Sequence, residues 1–224
     1  MIETIMDNTT TLAEIAVAHP AAARVFYQNR LDFCCGGRRS LADACQDRGL
    51  DAQAILDDIT RQDTDAPPAV RWDKAPLPEL VDHIVGHYHQ GLRETLPNLV
   101  RMARRVEARH GDKATCPVGI APLLERIQAS VFDHLEKEEG ILFPTIARGM
   151  GARAAGPVHV MEVEHEHHKA DLLEIRALTA DMVPPADACT TWRALYLALQ
   201  QFEQDLMEHI HLENNILFRR ALAE

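Results

Sequence analysis

A ten-residue pattern that occurs twice places the strongest constraint on how this chain can fold. The pattern H-x-x-x-E-x-x-I-L-F runs from His134 to Phe143 and again from His209 to Phe218. Residues i and i+4 of a helix share one face, so each copy presents an imidazole and a carboxylate to the same point. Two copies in the same apolar context predict a helical bundle with pseudo-twofold symmetry.

Four long helical patterns occupy the C-terminal two-thirds of the chain, with short breaks between them. We place them at about 77–109, 118–148, 154–181 and 187–221. Hydrophobic residues make up 46% of the sequence and aromatic residues only 5%, which favours Leu-, Ala- and Val-rich helices over strands. Long helices with short connections are typical of an up-down-up-down four-helix bundle. The predicted fold class is all-α.

The N-terminal quarter has a different organisation, with four short helical patterns and a glycine-containing loop. These patterns are Thr11 to His19, Ala21 to Asn29, Ser40 to near Gly49, and Asp51 to about Gln62.

Four prolines follow within a short stretch that has few apolar residues, at positions 67, 68, 76 and 78. We read this stretch as a linker. The predicted domains are a small helical domain at 1–62, a linker at 63–76 and the bundle at 77–224.

Charge and cysteine content limit the classes of partner. The net charge of −11 argues against nucleic acid and against anionic membrane surfaces. No apolar run approaches the ~20 residues that span a bilayer, and no signal peptide is visible, so we expect a cytoplasmic location. Five cysteines at irregular spacing predict reduced thiols and no disulfide framework.

Twelve histidines are the anomaly of the composition, and they point to metal. A single H-x-x-x-E on a helix is usually an exposed ion pair. Two copies facing a core are different, because buried carboxylates without partners are costly and two at one level repel each other. One or two divalent cations remove both penalties. His134, Glu138, His209 and Glu213 are therefore predicted to bind metal.

The other two long helices should supply the remaining ligands. Each carries three closely spaced histidines: His83, His87 and His89 in the first, and His165, His167 and His168 in the third. The charged residues around His167 and His168 predict that both are exposed. Spacing alone does not choose among His83, His87 and His89.

Motifs in both parts of the chain resemble those of the RIC family of iron–sulfur cluster repair proteins, also called YtfE or ScdA proteins. The motifs are LDFCCGG at 31–37, DHI at 82–84, YH at 88–89, H-x-x-x-E-E-x-I-L-F-P at 134–144, M-E-x-E-H at 161–165 and H-I-x-L-E-N-N at 209–215. The resemblance implies a hemerythrin-like bundle preceded by a small ScdA-type domain.

The resemblance also implies a non-haem centre of two iron ions. Its six ligands, placed on the matching positions, are His89, His134, Glu138, His165, His209 and Glu213. The histidines would be terminal ligands, two per iron, and the two glutamates would bridge the irons, with or without an oxo group. Glu164 is either a group that supports the ligands or carries a proton, or an ordinary exposed glutamate.

This ligand set suits iron, although ligand type alone leaves manganese and zinc open. Four histidines and two carboxylates make a less anionic site than the carboxylate-rich ferritin type. Such a site should hold ferric iron less tightly. Six protein ligands also leave coordination positions open for oxygen, nitric oxide or a bridging oxo group.

Cys34 and Cys35 are candidate functional thiols. Adjacent cysteines can hardly bind one metal without strain. The two glycines that follow predict a flexible loop, and the next two arginines together with a helix N-terminus favour the thiolate form. The alternative is a pair of small buried apolar residues.

The family resemblance favours repair of iron–sulfur clusters damaged by nitrosative or oxidative stress, through donation of iron. Damaged iron–sulfur proteins would be the partners. An alternative is a nitric oxide reductase that forms N2O at the di-iron site. Another is a hemerythrin-type sensor that binds O2 or NO. The sequence leaves a homodimer open.

Overall fold

The structure, a computed structural model, describes residues 6–65 and 70–223, so two of the linker prolines lie outside the described residues. Eight helices and no strand form this part of the chain. Four short helices come first: α1 Leu12–Ala18, α2 Ala21–Gln28, α3 Leu41–Gln46 and α4 Ala52–Asp65.

Side-chain caps begin two of the short helices where the sequence predicts. Thr11 and Glu14 form a reciprocal capping box at the start of α1. Ser40 caps α3 by accepting a hydrogen bond from the amide of Asp43. The ends differ from the prediction, because α3 stops at Gln46 and α4 continues to Asp65.

The four long helices are continuous over 77–110 (α5), 120–147 (α6), Gly151–Leu178 (α7) and 190–223 (α8). Helix α7 begins and ends three residues earlier than predicted. Its end is fixed by Thr179, whose hydroxyl donates to the carbonyl of Ile175 and accepts from the amide of Met182. The next three residues then adopt positive φ.

Three of the long helices contain a π-helical turn, which the sequence analysis missed. The turns are Ile84–His89 in α5, Glu138–Leu142 in α6 and Leu212–Leu217 in α8. After each turn an amide bonds to the carbonyl five residues earlier, as Phe143 does to Glu138 and Phe218 does to Glu213. Such turns often occur at functional sites.

Two apolar clusters fill the bundle and leave a polar layer between them. One cluster joins the start of α5 to the end of α6, with Leu80 and Ile146 as members. The other joins the later part of α5 to the early part of α8, with Leu99 and Trp192 as members. This arrangement is that of antiparallel neighbours, as the up-down-up-down prediction requires.

The N-terminal region packs directly on α7 and α8 through the loop that follows α2. The ring of Phe33 contacts His211 edge-on at 5.5 Å between centroids, and the side-chain amide of Asn215 donates to the carbonyl of Phe33. Asp32 pairs with Lys169 of α7 at 2.7 Å. The loop at 31–37, which we call the thiol loop, is therefore seated against the bundle.

Within the described ranges, no helix combines the length and the apolar character needed to cross a membrane.

Candidate metal centre

The six predicted ligands come together in the polar layer, and all six are buried. His89 comes from α5, His134 and Glu138 from α6, His165 from α7, and His209 and Glu213 from α8; none of the six is more than 2% exposed. Leu142 and Leu217, two turns beyond the helix histidines, are buried on the same face, which confirms that both motifs point inward.

The donors form two half-sites. In the first half-site, His89 Nε2 lies 3.1 Å from His209 Nε2. In the second half-site, His134 Nε2 lies 3.2 Å from His165 Nε2. Each pair, together with both glutamates, forms a group whose donor atoms all lie within 4.8 Å of one another.

The two carboxylates lie between the half-sites. Glu138 Oε2 is 3.5 Å from His89 Nε2 and 3.3 Å from His134 Nε2. The oxygens of Glu213 divide, with Oε1 at 2.9 Å from His209 Nε2 and Oε2 at 3.2 Å from His165 Nε2. Each carboxylate would therefore be within reach of an ion held in either half-site.

The protein's own groups do not satisfy the hydrogen-bonding capacity or the charge of the carboxylates in this polar layer. Among the described residues, both oxygens of Glu138 and Oε2 of Glu213 have no well-aligned hydrogen-bond donor. Burial and the neighbouring Glu213 raise the pKa of Glu138, whereas His209 and His165 outweigh burial and lower the pKa of Glu213. Cations would remove this conflict, so the residues present fit a pair of iron ions.

Burial also keeps imidazoles neutral, as metal ligands must be. It lowers the pKa of His89 to about 4, with a further contribution from His209. Burial and His165 likewise lower the pKa of His134 well below its usual value. These rings can therefore offer a lone pair from Nε2 at neutral pH.

Outer hydrogen bonds fix the ring orientation of three of the four histidines. His89 Nδ1 is 2.7 Å from Glu139, which also binds Arg93. His134 Nδ1 is 2.9 Å from Glu164, which also binds Lys137. These bonds leave each Nε2 facing the centre. Of the two acidic partners, the sequence analysis named only Glu164.

The third orienting partner is an amide, and it links the centre to the thiol loop. Asn214 Oδ1 lies 2.9 Å from His165 Nδ1, and Asn214 Nδ2 donates to the carbonyl of Cys34 at 3.2 Å. For the fourth ring, His209, Nδ1 has no hydrogen-bond partner in the described part of the chain.

An aromatic ring packs against each of the four histidines. Phe143, the last residue of the first motif, stacks on His89 at 5.5 Å, and Phe218, the last of the second, stacks on His165 at 6.0 Å. Tyr88 stacks on His209 at 5.7 Å. Each motif thus supplies two ligands and also the ring that supports a histidine of a neighbouring helix.

The fourth packing ring belongs to His168, and its position corrects the sequence prediction. His167 is exposed as expected, but His168 is only 2% exposed and contacts His134 edge-on at 5.0 Å. Position 168 lies three residues after His165, so helical periodicity puts both on the inward face. Burial lowers the pKa of His168 to about 3.

The remaining histidines of α5 lie outside the donor groups. His87 is exposed, and His83 is half-buried and stacks on Trp72 at 4.4 Å.

The structure contradicts two expectations for the thiol loop. A Cβ on Gly37 would lie 2.7 Å from the carbonyl oxygen of Phe33, so this glycine permits close packing and not flexibility. A hydrogen bond to Cys35 and burial raise the pKa of Cys34, so its thiol is favoured over the thiolate. Of the two arginines expected to favour the thiolate, Arg39 binds Asp47, whereas Arg38 lines the same cavity as the two cysteines.

All five cysteines are free thiols in the structure. Cys34 is buried, which partly fits the alternative of a small apolar residue, whereas Cys35 is half-buried. Both cysteines line a cavity of about 450 Å³ between the thiol loop and α7 and α8.

Comparison with known proteins gives two family matches. Residues 80–221 match the hemerythrin HHE cation-binding domain, and residues 8–63 match the ScdA N-terminal domain of unknown function, DUF542. The hemerythrin match confirms the predicted bundle and its di-iron cofactor. The assignment of the six ligands and the boundaries of the predicted linker stay predictions.

Proteins with similar sequences align with nearly the full length of this chain. The iron–sulfur cluster repair protein YtfE of Yersinia pseudotuberculosis (strain IP 31758) is 47% identical over 95% of this chain and 96% of its own length. The protein of the same name from Yersinia pestis (strain Pestoides F) is 46% identical over the same shares. The chain therefore belongs to the YtfE family of hemerythrin-like proteins.

Proposed function

We propose that this protein binds two iron ions through His89, His134, Glu138, His165, His209 and Glu213, and that it repairs damaged iron–sulfur clusters by donating iron. The observation that carries this proposal is the convergence of four imidazole nitrogens and two shared carboxylates in a buried layer. The relatives that match the whole chain carry the name iron–sulfur cluster repair protein.

The donor set supports lability as well as binding. Each half-site offers two imidazoles and shares two carboxylates, so the two glutamates contribute at most two negative charges to two cations. Bound iron supplies redox chemistry and open coordination positions. The chain's own residues hold the rings in place, through Glu139, Glu164 and Asn214, and exclude water from the donors.

Damaged iron–sulfur proteins are the proposed clients, and the stress is nitrosative or oxidative. Repair of such clients agrees with a cytoplasmic location. Nitric oxide and O2 are proposed as small molecules that reach the iron. The same molecules that damage the clusters of client proteins would therefore also bind at this centre.

The test combines metal analysis with a repair assay. Anaerobic protein loaded with iron should contain two ions per chain by elemental analysis and Mössbauer spectroscopy. It should restore activity to a hydratase whose [4Fe–4S] cluster has been damaged by NO. His134→Ala should lose iron and repair together. The double variant with Cys34→Ala and Cys35→Ala should keep iron and lose repair.

The outcomes separate the competing functions. Repeated N2O formation from NO with a reductant present, but without cluster repair, would replace this proposal with a nitric oxide reductase. Two ions retained in His134→Ala would refute the ligand assignment. Full repair by the double cysteine variant would remove the thiols from the mechanism.

A further inference from the structure

A second group of potential metal ligands lies in the thiol loop, next to the buried centre. Cys34 Sγ is 3.5 Å from Asp32 Oδ1 and 3.8 Å from Cys35 Sγ. One donor atom from each of these three residues lies within 4.8 Å of the other two.

The separation of the sulfurs matches a shared metal ion. Two thiolates bound to one tetrahedral ion at about 2.3 Å lie about 3.8 Å apart. The two Sγ atoms already have this separation, although the cysteines are adjacent in sequence. Strain is expected when adjacent cysteines bind one metal, but the folded loop turns both side chains to the same side.

Hydrogen bonds hold Asp32 in position to complete the group. Its Oδ1 accepts from the amide of Cys35 at 3.0 Å, and its Oδ2 binds the ammonium of Lys169 at 2.7 Å. Oδ1 therefore contacts both the backbone of Cys35 and the Sγ atom of Cys34.

We propose that Asp32, Cys34 and Cys35 form a separate site that binds one divalent iron ion in transit between the buried centre and a client. The inference rests on the proposed function for the identity of the ion as cargo. On binding, two thiol protons leave, two Fe–S bonds and one Fe–O bond form, and no electron is transferred. Three protein donors leave a tetrahedral position for a client ligand.

The surroundings of this site favour passage of an iron ion through it over storage of the ion. The cavity that reaches both cysteines also carries His159, Glu162 and Glu166, which offer further donors towards the surface. On the inner side, Cys35 Sγ lies 3.8 Å from the carbonyl oxygen of His165. Asn214 joins the ring of His165 to the backbone of Cys34. The transit site therefore directly adjoins the second half-site.

The first experiment counts and locates a third ion in the full-length protein. Anaerobic protein with its buried centre loaded with iron is titrated with Cd²⁺, and cadmium X-ray absorption identifies the bound atoms. We expect one Cd²⁺ per chain with two sulfur neighbours and no loss of iron. Asp32→Asn should weaken Cd²⁺ binding at least about tenfold, because even indirect partners of a metal contribute that much.

Serine variants show which thiols bind the ion. Cys34→Ser and Cys35→Ser should each remove one sulfur neighbour, whereas Cys189→Ser, which changes a half-buried thiol beside His110, should change nothing. Retention of two sulfur neighbours in Cys34→Ser, or absence of a third ion in the wild type, would overturn the proposal. Asp32→Asn decides the question if the serine variants fail to fold.

A second experiment tests iron itself. Protein whose buried centre holds natural-abundance iron receives one equivalent of ⁵⁷Fe²⁺, and Mössbauer spectra should show a sulfur-bound ferrous ion that Cys35→Ser lacks. If the label shows only nitrogen and oxygen ligands, the transit site is wrong. Cluster repair by a protein without this signal would reject the site alone. A sulfur-bound ion in a protein that repairs no cluster would reject the proposed function alone.

Discussion

The two half-sites have the same inner donors and different surroundings. Each has two imidazole Nε2 atoms about 3 Å apart and faces both carboxylates. Around the first half-site, Glu139 connects His89 to Arg93 near the surface. Around the second, Asn214 connects His165 to the thiol loop, and His168 packs on His134.

This difference shows how a repeated sequence motif can give an asymmetric centre. The motif fixes the proposed ligands and the stacked phenylalanines, which are alike in both halves. The partners that differ come from outside the motif or from its variable positions, such as Glu139 in one copy and Asn214 in the other. The two ions should therefore differ in how firmly they are held.

The largest expected effect comes from a carboxylate that both half-sites share. Glu138→Gln should reduce the affinity for each of the two ions by about 100-fold or more, which corresponds to ~2.7 kcal/mol of lost stabilisation per ion in the loaded protein. In the metal-free protein the same change should be neutral or stabilising, because it removes a buried carboxylate that faces Glu213.

Thermal unfolding with and without a chelator, together with iron analysis, measures the change in stability of both the loaded and the metal-free protein. An equal loss of stability in the chelated and loaded proteins would show that Glu138 supports the fold and not the ions.

Removal of one outer partner should separate the half-sites. Glu139→Gln should weaken binding at the first half-site and Glu164→Gln at the second, each by about 10- to 100-fold. Mössbauer spectra of partly loaded protein should show which ion is lost. Glu136→Gln, an exposed change on the same helix as Glu139, is the matched control. Loss of the same ion in both variants would contradict the division into halves.

The position of the thiol loop against the bundle should affect metal binding at the second half-site only. Gly37→Ala places a Cβ 2.7 Å from the carbonyl oxygen of Phe33, and displacement of the loop should cost about 2 kcal/mol. It should also loosen the ion beside His165. Gly156→Ala in α7 meets no atom within 4 Å and should stabilise the protein by up to about 1 kcal/mol.

Urea unfolding of both alanine variants gives the comparison. A neutral Gly37→Ala would mean that the loop adapts and that its contact with Asn215 does not constrain the centre.

The smallest effect is expected at His168. Neither ring nitrogen has a hydrogen-bond partner among the described residues, so His168→Leu should raise the free energy of unfolding by about 1 kcal/mol. Calorimetry of the loaded protein measures the change. Loss of iron from His168→Leu would instead show that this ring takes part in holding the second ion.

Four-residue spacing alone predicts that His134 with Glu138 and His209 with Glu213 share an inward helix face, and all four residues are buried in the structure. The choice of His89 over His83 and His87 came from family resemblance, since the π-helical turn at 84–89 changes which histidine of α5 points inward. Periodicity reasoning assumes a regular helix and fails there.

Contacts between distant segments explain what the sequence could not predict. The thiol loop is seated against the bundle because Phe33 and Asn215 meet across the chain, and the pKa of Cys34 is raised by a hydrogen bond to Cys35 and by burial. No local pattern encodes these pairings. His168 is different, because its spacing of three residues from His165 already predicts an inward position. The prediction of exposure relied instead on the charged residues around it and was wrong.

The π-helical turns in α5, α6 and α8 should make backbone amide exchange in these helices depend on metal occupancy. Each π turn is a less favourable backbone arrangement than a regular helix, and each contains or adjoins a proposed ligand. Bound ions would hold these turns closed to solvent. The amide protons of Gln90, Phe143 and Phe218 should therefore exchange with deuterium faster once the ions leave, and their rates would record occupancy without any spectroscopic label on iron.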